Sequence, residues 1–203
     1  MAGGEGFRPV FDTSQPHAGG VVPFRISKNY GQNIFYGDFV RMTNGGYIAV
    51  NQSVVHQSLD DQLGMFMGCS YNDANGTPTW SQHYPASQDV DGIIAYVAGT
   101  DPMTRYTAKW TNAAGTADSV GTIAKVGLNI DIAWRAGSTV TGNSLSGADA
   151  ATAAVTTTAN FRVVDVVNSP SAPSEFQTAA TEYTHVICII QPGLHHYSNA
   201  TGI

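Results

Sequence analysis

The sequence predicts an all-β fold: a barrel or sandwich of short antiparallel strands, with an extended N-terminal arm. Three observations predict it. Apolar, β-branched runs recur at intervals of roughly 8 to 15 residues. Turn residues separate them, with 22 Gly and 9 Pro in 203 residues. Helical periodicity is poor everywhere. The best window, Ser144 to Val155, is rich in Ala and has too few large apolar residues to bury a helical face. We expect at most a short helix or a loop there.

Residues 1–20 read as the arm. Gly3, Gly4, Gly6, Gly19 and Gly20 bracket the apolar segment Phe7-Arg8-Pro9-Val10-Phe11, and Pro9 and Pro16 oppose helix. So short a segment cannot form its own core. It either packs back on its own domain or lies along a neighbour, where it could add a strand to an open edge.

The body, residues 21–203, starts with a loosely alternating strand from Val21 to Ser27. Asp38 to Met42 alternates apolar and polar residues. Asn44-Gly45-Gly46 then offers the positive-φ residues of a tight hairpin, and Tyr47 to Val50 returns. Leu63 to Tyr71 is a longer apolar run that must be mostly buried if it is a strand. Asn75-Gly76 turns the chain into Thr77 to Tyr84, and Gly92 to Ala98 reads as a core strand. Asp101-Pro102 marks a turn. Arg105 to Trp110 alternates with period two, as a half-buried strand should. Two short runs follow at Ile123 and at Leu128 to Ile132. Phe161 to Val167 and Tyr183 to Ile190 are the last strong strands. The stretches Ser138 to Thr158 and Ser169 to Thr181 read as long loops, which in a small domain tend to carry function. The body is one β domain or two small subdomains with a boundary near 85–92.

Composition limits the function. Charged residues make up 12% of the chain, against about 25% in an ordinary soluble domain. Such a surface is easily explained if partners cover much of it, because charge is depleted in the cores of interfaces. The net charge is −6 and no Lys/Arg run exists, which argues against a nucleic-acid partner. The longest strongly apolar run, Val186 to Ile190, is too short to cross a bilayer, so no membrane partner is expected. The first six residues lack the basic-then-apolar layout of a secretory signal. We therefore expect a protein made in a cytoplasm and kept there, or carried out inside a larger assembly.

Catalytic and metal-binding patterns are weak. Gly142-Asn143-Ser144-Leu145-Ser146 approaches a nucleophile elbow but ends in Ser where Gly is required. His195-His196 would point to opposite faces of a strand, an awkward geometry for a shared metal. Asp60-Asp61 and Asp89-Val90-Asp91 read as solvated turns. Cys69 and Cys188 sit in separate apolar runs and read as buried free thiols. No enzyme activity, cofactor or metal is expected. Trp80, Trp110 and Trp134, with Tyr84 and Tyr106, either fill cores or form a platform on which sugars stack. Exposed Trp lining one groove would favour carbohydrate binding, and buried Trp would favour a structural role.

The chain resembles the tailed-bacteriophage head decoration (capsid cement) proteins. The residues that carry the likeness are Gly6-Phe7-Arg8-Pro9-Val10, Tyr36-Gly37-Asp38-Phe39-Val40-Arg41-Met42, and Asp101-Pro102 with Arg105-Tyr106-Thr107-Ala108-Lys109. Val126 to Asp131, Ser138 to Ser144 and Phe161-Arg162-Val163-Val164 follow in the same order. The resemblance implies a non-enzymatic virion protein, assembled in a host cytoplasm, that binds the outer surface of the capsid. Its partners would be the major capsid protein, whose neighbouring subunits it cements, and other copies of itself in a dimer or trimer. We expect Phe7, Arg8, Pro9, Val10 and Phe11 to be the arm that reaches a capsid neighbour. Removing residues 1–12 should then leave the body folded. The alternative is a carbohydrate-binding or host-adhesion β domain on a virion surface.

Overall fold

The computed structural model describes residues 5–10, 20–52, 62–113, 119–155, 159–167, 184–191 and 193–198. Two sheets make up these residues, and each comes round on itself. The first holds β2 (Val21–Arg25), β3 (Phe39–Met42), β4 (Ile48–Val50), β5 (Gln62–Asn72), β6 (Pro78–Ser81) and β7 (Ile94–Ala98). Its order is β2-β7-β5-β3-β4, with β6 beside the far half of β5. A parallel bridge from Ile26 to Ile48 joins its two ends.

The second sheet holds β1 (Arg8–Pro9), β8 (Arg105–Thr111), β9 (Asn129–Ile130), β10 (Ile132–Ala133), β11 (Gly147–Asp149), β12 (Phe161–Val167) and β13 (His185–Ile190). Its order is β10-β11-β8-β13-β12-β9, with β1 on β8. The two end strands, β9 and β10, are consecutive in the chain and separated only by Asp131. Chain continuity therefore completes the ring. The all-β expectation holds, and among the described residues no helix is long and apolar enough to cross a membrane.

Turn chemistry places the hairpins where the sequence puts them. The Gly46 amide donates to Thr43 and the Gly76 amide to Asp73, closing the β3–β4 and β5–β6 turns. Asp101 caps its own turn, accepting from the Thr104 and Met103 amides. Apart from β1, the strands of the first sheet end at Ala98 and those of the second begin at Arg105.

Residues of β3, β5 and β7 serve two cores, alternating except where the β5 register shifts at Leu63. Val40, Leu63, Phe66 and Val97 fill the first ring with Ile26, Ile48 and Tyr84. Their neighbours Phe39, Met65 and Ala98 project from the other face into the second core, beside Tyr106, Trp110, Phe161 and Cys188. A strand buried on both faces needs a continuous apolar run, which accounts for the unbroken run from Leu63.

The N-terminal segment joins the two rings. The Phe7 amide donates to the Gly37 carbonyl, the Gly6 amide to Ser146, and the Val10 amide to Arg105. Gly6 and Gly37 both have positive φ, and a Cβ on Gly37 would lie 3.1 Å from the Gly6 Cα. Only two glycines permit that approach. Phe7 is 1% exposed. Its ring stacks on Phe161 at 5.0 Å and meets Phe39 edge-on at 4.9 Å.

Over residues 5–10, the described part of the arm expected at 1–20, the chain packs on its own body. Phe7 cannot reach a neighbour, because it completes the chain's own core. Removing residues 1–12 should therefore damage the body. Phe11 lies outside the described residues.

The Ser144 to Val155 window also differs from expectation. It contains β11, which runs parallel to β8 and is wholly buried. A Cβ on Gly147 would stand 2.6 Å from Thr111 Cγ2 and 2.8 Å from the Lys109 carbonyl oxygen. The small side chains of Gly147 and Ala148 are what let a strand enter there.

Candidate functional site: a basic face on the second sheet

Successive residues of β8 point alternately in and out. Tyr106, Ala108 and Trp110 point inward, which leaves Arg105, Thr107 and Lys109 on the outer face. Register carries this face across three neighbouring strands. One row reads Arg8, Thr107, Ile187, Asp165, and the next reads Arg105, Ile189, Arg162. A third reads Lys109, His185, Val167. Neighbouring strands lie about 4.8 Å apart, so Arg105 and Arg162 flank Ile189 at roughly 10 Å from each other.

Four of the chain's nine Lys and Arg residues thus share one face of a protein whose net charge is −6. Arg8, Arg105 and Arg162 are exposed, while Lys109, Ile187 and Ile189 are half-buried. Acidic side chains also touch the face. Asp165 lies within it, and Glu5 Oε1 stands 3.9 Å from Lys109 Nζ at its rim. Arg162 is held from the side by its cross-strand partner on β9, its Nε donating to Asn129 Oδ1 at 3.1 Å. Two half-buried isoleucines thus lie among four cations and one carboxylate.

Of the residues expected to dock, Arg8 lies on this face, Pro9 and Val10 are half-buried, and Phe7 is internal. The remaining members of the face were missed. The alternation in β8 gives Arg105, Thr107 and Lys109 one side. Nothing in the sequence tells that β1 and β13 flank β8, or that β12 lies beyond.

The other candidates resolve into structure. Ser144 is buried at the joint and bonds to the carboxylate of Asp38. Asp38 Oδ2 also accepts the Phe35 amide at 2.9 Å. Burial pushes this carboxyl up to about 6, against the opposing pull of those two bonds. Ser146 Oγ donates to the Arg135 carbonyl.

His195 is fully buried and accepts the Tyr197 amide on Nδ1, and burial pushes it down to about 4. Among the described residues no three His, Cys, Asp or Glu side chains stand close enough to hold a metal. Cys69 and Cys188 are free and buried, and burial raises both thiols, Cys69 to about 12. Such thiols are poor nucleophiles.

The tryptophans divide. Trp110 is buried, Trp134 packs partly buried against the second core, and Trp80 is 63% exposed. They form no common platform. The long loop expected at Ser169 to Thr181 lies outside the described residues. No family model, no curated protein and no solved structure matches this chain.

Proposed function

We propose that this chain is a virion structural protein that binds the outer surface of an assembled capsid and cements neighbouring major capsid protein subunits. The observation that carries this reading is the gathering of Arg8, Arg105, Lys109 and Arg162 around Ile187 and Ile189, on a chain that is otherwise acidic and poor in charge. A rigid strand face holding both cations and apolar groups can steer toward an acidic surface and then bury area on contact.

A ligand that binds only the assembled shell stabilises that shell. Each added copy contributes through multivalency, so modest single contacts suffice. The resemblance to decoration proteins supports the same reading. Its residues Gly6-Phe7, Gly37, Asp38, Phe39, Ser144 and Phe161 meet at the joint between the sheets. They build the joint that holds the two sheets together, and the proposed docking face is the outer side of the second sheet.

The test is co-sedimentation with purified capsids assembled without this protein. We expect saturable binding that weakens as salt rises. Arg105→Glu with Arg162→Glu should weaken it by about tenfold or more, about 1.4 kcal/mol, while leaving the fold intact by circular dichroism. Salt-independent binding that the double variant retains in full would refute the proposed face.

A further inference from the structure

A trough on the first sheet has its own chemistry. Cross-strand register places Trp80, Ser70 and Ile94 in one row over β6, β5 and β7. Pro78 and Asn72 form the next row, with Gly92 just beyond the end of β7. Partners in register share a face. The small polar side chains of Ser70 and Asn72 therefore make a floor, Trp80 and Pro78 one wall, and Ile94 the other. Asp91 stands at the open end. The trough is open to solvent and offers about 470 Å³, within the size range of small-ligand sites.

The indole wall is built in. Gly68 lies against it, and a Cβ there would stand 2.9 Å from Trp80 Cζ2. The absence of that Cβ seats the inner edge of the ring, while 63% of the residue stays open to solvent. Ser70 Oγ is held 3.1 Å from the Tyr96 hydroxyl, which fixes the floor.

Lys28 pairs with Asp89 at 3.2 Å and with Asp91 at 3.6 Å. Arg25, exposed and in register with Ile94, continues the same row. Two cations and two carboxylates therefore balance at the mouth, and neither an anionic nor a cationic ligand is favoured. A purely apolar ligand would strip water from the Ser70, Asn72 and Asp91 polar groups and return no hydrogen bond. A pyranose answers both demands. Its C–H face stacks on an aromatic ring, and its hydroxyls bond to hydroxyl, amide and carboxylate at the edge.

We propose that this trough binds a neutral oligosaccharide, with Trp80 as the stacking wall and Ser70, Asn72 and Asp91 as hydroxyl partners. The site is separate from the basic face and does not depend on shell binding.

The test is isothermal titration of the full chain with maltohexaose, cellohexaose and chitohexaose up to about 10 mM, with polygalacturonate as the anionic control. We expect saturable binding of at least one neutral probe and none of polygalacturonate. Trp80→Ala should lower the affinity at least about tenfold and Trp80→Phe much less, with both variants folded by circular dichroism. No response to any neutral probe, or equal affinity in Trp80→Ala, overturns the assignment. If Trp80→Ala instead weakens shell retention and no sugar binds, the trough is a protein contact and the proposal fails.

Discussion

Replacing Phe7 with alanine tests the joint between the two sheets. The ring is 1% exposed and packs against Phe39, at 4.9 Å, and Phe161, at 5.0 Å. Phe39 in turn meets Tyr106 and Phe161 at 4.8 and 4.7 Å. The lost side chain leaves a hole walled by the Phe39 and Phe161 rings, and Phe39 is itself held by Tyr106, so the site cannot collapse far.

Buried Phe→Ala changes cost about 3–5 kcal/mol, and this rigid site belongs in the upper half of that range. A loss of about 4 kcal/mol is nearly a thousandfold in the folding equilibrium. For a chain of this size it lowers Tm by roughly 10 °C. Thermal unfolding followed by near-ultraviolet circular dichroism measures it. Arg8→Ala is the control, because that exposed neighbour should shift Tm by little. If Phe7→Ala unfolds within about 2 °C of the parent, Phe7 is not a core residue and the segment is a free arm after all.

Two further outcomes follow from buried contacts. Asp38 has its carboxyl raised from 3.8 to about 6 by burial. Its contribution to stability is therefore fully present below about 3.8 and is lost as pH rises through about 6. Asp38→Asn removes that dependence, so parent minus variant stability in urea should rise by a few kcal/mol from pH 7 to pH 4; an equal difference at both would contradict the burial. Gly147→Ala should destabilise the chain by about 1–3 kcal/mol in the same assay, because its Cβ would meet Thr111 and the Lys109 carbonyl. An unchanged midpoint would show that β11 does not approach β8 as described.

Local signals were legible in the sequence wherever one residue type decides the geometry. Asn44-Gly45-Gly46, Asn75-Gly76 and Asp101-Pro102 lie at the turns they announce, and the alternation in Arg105 to Trp110 is the alternation of β8. Signals that depend on distant partners were not legible. Gly147 and Ala148 look like loop or weak helix until Thr111 and Trp110 are seen beside them. Phe7, between glycines and a proline, looks like a tail until Phe39 and Phe161 enclose it. The closure of the first sheet rests on the Ile26 to Ile48 bridge, and nothing in the loosely alternating run from Val21 to Ser27 names Ile48 as the partner.

The site divides in the same way. Trp80 was a candidate for stacking, but its separation from Trp110 and Trp134 follows from which face of each strand lines a core. The basic face needs β1, β8, β13 and β12 side by side. Those strands are scattered from residue 8 to residue 190, so no window of sequence contains the face.

Imaging of capsids saturated with this protein, at a resolution that orients its two sheets, tests the central claim most directly. The account predicts the β8–β13–β12 face against the shell, with Arg105 and Arg162 turned toward acidic capsid residues. A bound protein whose β8–β13–β12 face is turned to solvent would contradict it.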